Sequence, residues 1–433
     1  MYEQRNYNYK NRYFSKKITK QNPYFIRVLS LFLQFAYLVA ICYTYAMENT
    51  SIKLFNRDIE PRITSVLFKD KMVVILGPRQ SGKTTLAKKI IAAHGQQGAY
   101  YDCQLADIRA HFVLGKPDAL IPLTQNKKIV VFDEAQTIQD IGSILKVFHD
   151  TYPKTQIIAT GSSSFDLANK IKEPMTGRAF EFMLLPLSLR EISLAYPNMN
   201  ESDLFSLMRF GSYPGVVAIE AKDEKLFAIK NIATNYLYKD VFVFEAIRNS
   251  KIFEDLLKML ALQVGSMVSI NELAQALGVT RATVNRYLRL LEQSFIIKRI
   301  YSFSNNPRNE IKKGFKVFFL DVGVRNALVD IVSPMATRAD RGAIFENFFV
   351  AELMKKGVIE IFPPEIMFWR TRAGVEIDVI EKDGIEIFAY ECKWKETVVA
   401  PASFKAAYPN ARFKCITTEN IKTHFSPNRR KSI

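Results

Sequence analysis

Residues 77–85 of this 433-residue chain have the composition and spacing of a loop that binds phosphate. They match the pattern G-x-x-x-x-G-K-[ST] and are Gly77, Pro78, Arg79, Gln80, Ser81, Gly82, Lys83, Thr84 and Thr85. Backbone N–H groups of such a loop curl around a β-phosphate, and its glycines allow that close approach. Lys83 is predicted to contact the β- and γ-phosphates, and Thr84 to bind Mg²⁺. The pattern therefore predicts ATP and Mg²⁺ as cofactors.

A second segment predicts the acids that such a site needs. Residues 129–132 are β-forming and apolar, and they are followed by Asp133 and Glu134. Asp133 is predicted to hold the Mg²⁺ shell, and Glu134 to polarise the attacking water as a catalytic residue. The alternative is a strand that merely ends in solvated acids.

Two further residues are candidates for contact with the γ-phosphate. Residues 156–160 predict a strand that ends beside a hydroxyl cluster, and ligands bind at the carboxyl ends of parallel strands. Ser162 or a neighbour is therefore a candidate γ-phosphate sensor, with an ordinary turn as the alternative. Arg178 is a candidate transition-state finger, in cis or in trans, because a guanidinium neutralises charge on the transferring phosphoryl group. A structural ion pair is the alternative for Arg178.

The segments around the loop have the character of the elements that must position it. Residues 73–76 are β-formers, and residues 86–91 have a helix-like composition. A strand, a glycine-containing loop and a helix in this order place the positive end of the helix at the phosphates. Together with the two later strands, they predict an α/β fold with the parallel sheet of a P-loop NTPase.

Residues 268–292 have the pattern of a helix-turn-helix. Gly278 is predicted to end the first helix, and Thr280 to cap the second. The exposed face of the second helix carries three polar residues at helical spacing, which are Arg281, Asn285 and Arg289. Such a row suits a major groove or phosphates, and residues 295–300 predict a wing strand. The alternative is a packing module between domains, because winged helices also serve that purpose.

The charge balance and the cysteines add weaker indications. The net charge of +17 comes from 60 Lys and Arg against 43 Asp and Glu, and it favours an anionic partner such as double-stranded DNA. Excess charge can also simply confer solubility. The four cysteines are scattered, without a C-x-x-C pair, and a reducing cytoplasm is the predicted location.

Near the C-terminus the sequence predicts a β-hairpin with charged residues on one face. Alternation places Asp378 on the first strand and Glu391 with Lys393 on the second. In nucleases with a D…E-x-K constellation, two carboxylates hold Mg²⁺ and the lysine positions water. The alternative is an ordinary polar face of a hairpin.

The first 50 residues differ from the rest. Residues 28–47 are uncharged and mostly apolar, follow a basic start, and are long enough to span a bilayer. The positive charges would then place the remaining chain outside the cell, where an ATP site makes little sense. We therefore expect translation to start at Met47, with residues 1–46 absent from the native protein. A membrane anchor and a buried helix are the alternatives.

The motifs together resemble a known group of proteins. They are GPRQSGKTT, IVVFDEAQ, TGSSS, MTGR with the following PLSLRE, and FGSYP. The chain resembles the prokaryotic AAA-type ATPases of the archaeal-ATPase-like branch that carry a C-terminal restriction-endonuclease-like domain of unknown function. The resemblance covers about residues 52 to 420 and implies that Glu346 is a further acid of the nuclease-like site. Ile377 stands where the nuclease pattern has a proline.

The resulting prediction is a chain of several regions. They are an N-terminal extension, 1–50; an AAA-type P-loop ATPase domain, 51–200; a helical lid or connector, 201–265; a winged helix-turn-helix, 266–316; a restriction-endonuclease-like domain, 317–420; and a basic tail, 421–433. The predicted function is Mg²⁺-dependent ATP hydrolysis coupled to conformational change on nucleic acid. An ATP-gated metal-dependent nuclease and a non-catalytic nucleotide switch for protein partners are the alternatives. An oligomer is compatible with either, and a membrane partner only with a genuine span at 28–47.

Overall fold

The computed structural model describes residues 54–162, 177–236, 250–303 and 314–426. The predicted N-terminal extension, with its apolar run, lies outside these ranges, as do the hydroxyl residues after Ser162 and the end of the basic tail. Within the described ranges, no helix combines the length and the apolar character needed to cross a membrane.

A five-stranded parallel sheet carries the phosphate-loop segment, in the order β2-β3-β4-β1-β5. Its strands are β1, Met72–Leu76; β2, Gly98–Asp102; β3, Ile129–Asp133; β4, Gln156–Gly161; and β5, Ala179–Met183. Strands β1, β3 and β4 are buried at every position, which explains why they read as continuous apolar runs. The predicted α/β P-loop fold of this region is confirmed.

Helices cover both faces of this sheet. They are α1, Glu60–Ser65; α2, Lys83–Ala92; α3, Ala106–Arg109; α4, Ile121–Thr124; and α5, Ile141–Thr151, with 3₁₀ turns at Gly95–Gln97, Pro117–Leu120 and Ala135–Thr137. Successive strand residues point to opposite faces. Val73 therefore shares a core with Leu86 of α2, whereas Val74 shares one with Phe148 of α5. The two cores fix α2, and the loop before it, at the carboxyl edge of β1.

A helical segment follows the sheet. It comprises α6, Leu189–Ala195; α7, Glu201–Phe210; α8, Pro214–Val217; α9, Lys222–Tyr236; and α10, Ser250–Leu262. Helix α6 begins with a capping box in which Ser188 and Glu191 satisfy each other's backbone N–H groups. Asn200 and Asp203 do the same for α7. The starts of both helices are therefore encoded locally.

Two helices and a small sheet form the next region. Helix α11 spans Ile270–Ala276 and helix α12 spans Arg281–Gln293. Gly278 has a φ of +63° between them, and the Thr280 hydroxyl accepts from Thr283 N at 3.2 Å. The antiparallel sheet has the order β6-β8-β7 and consists of β6, Met267–Val268; β7, Ile297–Tyr301; and β8, Phe315–Phe319.

The predicted domain boundary between residues 316 and 317 falls inside β8. This strand is buried at every position and pairs with β6 on one side and β7 on the other. It belongs to the small sheet by its hydrogen bonds, and the change of region follows it. The sequence pattern missed this because a continuous apolar strand does not show which sheet it joins.

The C-terminal region contains a four-stranded sheet in the order β12-β11-β10-β9, in which only the β11–β12 pair is parallel. Its strands are β9, Glu365–Arg370; β10, Glu376–Asp383; β11, Glu386–Cys392; and β12, Arg412–Ile416. Its helices are α13, Val322–Leu328; α14, Arg341–Gly357; α15, Ala402–Ala407; and α16, Ile421–His424, with a 3₁₀ turn at Met335–Thr337. Strands β10 and β11 form the predicted hairpin.

One apolar core joins the regions beyond the first sheet. It contains Leu189 of α6, Leu257 of α10, Leu288 of α12, Phe345 of α14 and Val379 of β10. From Phe55 onward, the chain clusters as a single compact unit. The described regions from Phe55 onward therefore pack as one body, and helix α14 contributes Phe345 and Leu353 to its shared core.

Candidate functional site

The phosphate loop connects β1 to α2, and two of its glycines have conformations that side chains rarely adopt. Gly77 has a φ of +155°, and a Cβ there would lie 2.1 Å from the carbonyl oxygen of Leu184. Gly82 has a φ of +97° and immediately precedes α2. Both positions require glycine, because a side chain would meet backbone at the first and strain at the second.

The groups in this loop fit an anionic ligand. The Lys83 ammonium is buried and donates to the carbonyl oxygens of Gly77 and Pro78, each at 2.9 Å. Ser81 is fully buried, and its hydroxyl has no hydrogen-bond partner among the described residues. A buried hydroxyl without a partner, beside an ammonium and a helix N-terminus, suits phosphate oxygens. A nucleotide phosphate therefore fits this loop.

Asp133 lies at the end of β3, directly opposite the loop. Its Oδ2 accepts from the Thr84 hydroxyl and from the Tyr100 hydroxyl, both at 2.6 Å, and its Oδ1 accepts from Thr160. A carboxylate next to a hydroxyl is the oxygen set that Mg²⁺ prefers, so Thr84 and Asp133 suit a magnesium ion. Burial raises the pKa of Tyr100, and its hydrogen bond to Asp133 adds to this rise. Tyr100 therefore stays a neutral donor to Asp133.

Glu134 is held in a defined position. Its φ of +52° is left-handed, and its N–H donates to the Thr160 hydroxyl at 3.1 Å. The Gln136 amide donates both to the Glu134 carboxylate and to the Ser162 hydroxyl, the latter at 3.0 Å. Ser162 and Glu134 are thus joined through one amide group. This arrangement links a candidate sensor to the candidate catalytic acid.

Sequence reasoning missed Tyr100, Gln136 and the role of Thr160. Tyr100 lies on an edge strand, and its approach to Asp133 follows from the register of β2 against β3. Gln136 follows Glu134 by two residues, but only the backbone turn there brings its amide to Ser162. A polar residue just after the two acids was the one available signal.

Arg178 does not reach the phosphate loop of its own chain. It immediately precedes β5, which runs parallel to β1, so it lies at the opposite end of the sheet. A five-residue strand spans roughly 15 Å, which separates the two ends. The Arg178 guanidinium instead donates to Asp150 at 2.8 Å, and both side chains are partly exposed. The prediction that Arg178 acts on the nucleotide of its own chain is therefore wrong. The prediction that it acts on the nucleotide of a neighbouring chain stays a prediction.

The four residues of the predicted nuclease-like site lie close together. Asp378 Oδ2 accepts from the Cys392 N–H at 2.8 Å, and Lys393 donates to Glu391 Oε1 at 2.8 Å. The other oxygen of Glu391 is buried without a partner among the described residues. Burial, helped by the Glu391 charge, raises the pKa of Asp378 to about 6. Glu346 of α14 is near enough for the Asp378 charge to add to the rise that burial causes in its pKa.

Lys316 of β8 is a further member of this cluster that the sequence did not indicate. It is buried, donates to Glu346 at 3.1 Å and forms an ion pair with Glu376. Its positive charge stands among acids from α14 and β10 and offsets part of their repulsion. In the described ranges, no group of three or more His, Cys, Asp or Glu side chains has an arrangement that could hold a metal ion.

The three predicted DNA-contact residues lie along helix α12. Arg281 and Arg289 are exposed, and Asn285 is half-buried. Arg281 donates to the Asn271 side chain at 3.2 Å, and Asn285 donates to the Arg281 carbonyl oxygen at 3.1 Å. An open groove of about 710 Å³ beside the helix is lined in part by Asn271, Arg281 and Asn285. The two arginines of the row face solvent.

The strand order, the loop after β1 and the acids after β3 define this region as a P-loop NTPase. Comparison with family models agrees: residues 69–193 match an "AAA domain", residues 201–334 match "Domain of unknown function (DUF8612)" and residues 341–422 match "Domain of unknown function (DUF4143)". The AAA domain together with the last match indicates an AAA-type P-loop ATPase family, and the AAA match over residues 69–193 supports an ATP-binding region there.

The curated relatives match this chain over about three quarters or more of both sequences. An uncharacterized protein of Methanocaldococcus jannaschii is 25% identical over 349 residues, which cover 76% of this chain and 75% of that protein. An uncharacterized protein of Mycobacterium tuberculosis is 23% identical over 354 residues, which cover 81% of this chain and 76% of that protein. The Pif1 helicase from Candida albicans matches 41% of this chain and 48% of its own at 13% identity. Its TM-score of 0.24 is too low to inform function.

Proposed function

We propose that this protein is a Mg²⁺-dependent ATPase that couples hydrolysis to conformational change on double-stranded DNA. The observation that carries the ATPase part is the contact of Thr84 with Asp133 beside a phosphate loop, with Glu134 held through Gln136 to Ser162. These groups come from the loop and from the ends of neighbouring strands. They meet at the carboxyl edge of the sheet, where such folds bind ligands.

Each residue then has a distinct task. Lys83 neutralises charge on the β- and γ-phosphates, and the α2 N-terminus adds its positive end. Thr84 and Asp133 would hold Mg²⁺, which when bound supplies positive charge to the phosphate oxygens. Glu134 orients the attacking water and accepts its proton. Ser162, through Gln136, sets the position of that carboxylate. Arg178 acts in trans if the protein assembles as an oligomer.

The DNA part rests on the helix-turn-helix and its exposed row. Helices α11 and α12 with the β6-β8-β7 sheet have the element order of a winged helix. Arg281 is exposed and lines an open groove, and Arg289 is exposed on the same helix. Arginine in such a position binds base edges or phosphates. The net charge of +17 gives the chain a general attraction to a polyanion.

We expect the Arg281→Ala/Arg289→Ala variant to bind double-stranded DNA about tenfold more weakly, with a salt dependence whose slope is smaller by about 2. The reason is that each lost guanidinium removes a phosphate or base contact. Fluorescence anisotropy over a series of salt concentrations measures both quantities. The charge-matched Lys154→Ala/Lys405→Ala variant, which changes exposed residues elsewhere, controls for net charge. If both variants have the same DNA affinity and the same salt-dependence slope, α12 does not contact DNA.

The second candidate function is an ATP-gated, metal-dependent nuclease. It is supported by the clustering of Glu346, Asp378, Glu391 and Lys393, and by the buried oxygen of Glu391 without a described partner. In this proposal the C-terminal region is restriction-endonuclease-like, with Asp378 and Glu391 as metal ligands and Lys393 beside the water. Lys316 competes for Glu346, so a metal ion would have to displace its ammonium or bind beside it.

If the cluster cleaves DNA, Asp378→Ala is expected to abolish nicking of supercoiled plasmid in Mg²⁺ or Mn²⁺, because it removes a metal ligand. The Lys83→Ala variant should retain the basal nicking measured without ATP and lose only its response to ATP, which separates this site from the ATP site. Asp383→Ala, an exposed acid at the end of the same strand, is the matched control. Agarose gels of plasmid forms give the readout. Nicking that persists in Asp378→Ala, or that is absent in the wild type, rejects this candidate.

A further inference from the structure

Arg57 is a buried arginine that lies outside the phosphate loop and forms a hydrogen bond to its backbone. Only 9% of this residue is exposed. Its Nη1 donates to the Ser81 carbonyl oxygen at 2.7 Å, and its Nη2 donates to the Leu185 carbonyl oxygen at 2.6 Å. The third nitrogen, Nε, donates to Glu191 at 3.1 Å. A single planar group therefore ties the loop to the segment that follows β5.

Glu191 holds this guanidinium in place. Its Oε1 also accepts from the Asp58 N–H at 2.8 Å, and its Oε2 accepts from the Ser188 N–H at 2.9 Å. The carboxylate is buried and bonded at both oxygens, so its position is fixed by backbone on two sides. Charge-assisted bonds of this kind are stronger and shorter than neutral ones. Lysine cannot reproduce three contacts in three directions from one planar fork.

Helix α14 also forms hydrogen bonds to the segment after β5. The Leu189 N–H donates to Glu352 Oε2 at 2.6 Å. Lys355 donates to Glu352 Oε1 at 2.7 Å, to the Leu187 carbonyl oxygen at 3.0 Å and to the Ser212 hydroxyl at 2.8 Å. Glu352 and Lys355 are both almost fully buried. Buried hydrogen bonds thus connect the phosphate loop through Arg57 and Glu191 to the backbone at Ser188, and the adjacent Leu189 N–H is bonded to Glu352 of α14.

We propose that Arg57 is a positioning residue for the nucleotide site, which holds the Ser81 carbonyl and transmits the state of the loop to helix α14. The proposal rests on ATP binding at this loop. Lys83 has three N–H donors, two of which contact loop carbonyl oxygens. An incoming phosphate competes for these donors, so the hydrogen bond from Arg57 to the Ser81 carbonyl then becomes the main side-chain contact that holds the loop. Through Glu191, Arg57 also connects the loop to the helix that carries Glu346.

A variant pair separates this role from simple stability. Arg57→Ala leaves Glu191 buried and uncompensated, so it is expected to destabilise the fold as well as the loop. The double variant Arg57→Met/Glu191→Gln removes both charges together and keeps the volume, so no uncompensated charge is left and its melting temperature should fall less than that of Arg57→Ala. Some loss is expected, because an amide in place of the carboxylate can accept from only one of the Asp58 and Ser188 N–H groups. It still lacks a donor to the Ser81 carbonyl. Arg62→Ala is the matched control, since Arg62 donates to the carbonyls of Ile359 and Glu360, with no loop contact.

The experiment uses the full chain and measures the Kd for ATP and the melting temperature. Amide hydrogen exchange with and without ATP is followed in the same samples. The double variant is expected to bind ATP about 10- to 100-fold more weakly, because a charge-assisted bond to the loop is lost. In the wild type, ATP is expected to slow exchange in the loop and in the half of α14 that contains Glu352 and Lys355. In the double variant the effect in α14 is expected to be lost. Arg62→Ala should keep both the affinity and the α14 response.

Three outcomes count against the proposal, and the first two are distinguishable from the third. A stable double variant that binds ATP like the wild type, or a wild type whose α14 amides do not respond to ATP, overturns it while the ATPase function stands. A wild type that binds ATP no better than Lys83→Ala overturns the proposed function and this inference together.

Discussion

Replacement of Lys83 by alanine is expected to weaken ATP binding by about 100-fold or more and to abolish turnover, since it removes the main positive charge from the phosphate site. The ammonium is buried inside the loop and already donates to two loop carbonyl oxygens, so it is placed to meet phosphate oxygens. Isothermal titration calorimetry gives the affinity, and phosphate release gives the turnover.

Lys89→Ala is the matched control for that loss. Lys89 lies on the same helix but is partly exposed and pairs with Glu60 at its outer side. This variant should bind and hydrolyse ATP at nearly the wild-type level. Equal ATP affinity of Lys83→Ala and the wild type would mean that the loop does not bind phosphate.

Glu134→Gln is expected to lower the rate of ATP hydrolysis by about 100- to 10,000-fold and to leave ATP binding almost unchanged. The reason is that the amide cannot accept the proton of the attacking water, while the phosphate contacts of Lys83 and the loop remain. A carboxamide has nearly the shape of a carboxylate, and its oxygen can still accept from the Gln136 amide, so the position of the side chain should be kept. Single-turnover kinetics separate the chemical step from binding and product release.

The control for the second prediction is Glu181→Gln. Glu181 is an exposed acid on the neighbouring part of the same sheet, in β5, and it should tolerate the change without loss of activity. A Glu134→Gln protein that turns over at the wild-type rate would show that another group activates water. In that case the held position of Glu134 would be structural.

Local sequence was sufficient where function depends on consecutive residues. The phosphate loop, the strand before it and the acids after β3 are each continuous, and their burial pattern follows directly from their apolar runs. The first region therefore showed its P-loop fold without a structure. Tyr100 and Gln136 were missed because their contacts depend on strand register and on a turn, which no single segment encodes.

Arg178 illustrates the opposite case. In the sequence it lies just before a strand-like segment, and the ability of a guanidinium to neutralise phosphoryl charge made it a candidate finger. Strand β5 instead inserts beside β1 and runs parallel to it, so the residue before β5 lies at the amino edge. A parallel connection always returns the chain to the far end of the sheet. The pairing of β5 beside β1, which the sequence did not show, decides the position.

The C-terminal cluster was predicted from the sequence only in part. Alternation along two strands placed Asp378, Glu391 and Lys393 on a common face, and the structure has them close together. Lys316 could not be found this way, because it comes from β8 of a different sheet. The contact between the small sheet and α14 that brings it there is a property of the shared apolar core.

The measurement that tests the central claim most directly is steady-state ATP hydrolysis by the full chain in Mg²⁺, with and without double-stranded DNA. Lys83→Ala and Glu134→Gln are measured in parallel. The account predicts turnover that DNA stimulates and that either substitution abolishes. Wild-type turnover no higher than that of Lys83→Ala would contradict it, and tight ATP binding without hydrolysis or salt-dependent DNA association would instead identify a nucleotide switch for protein partners.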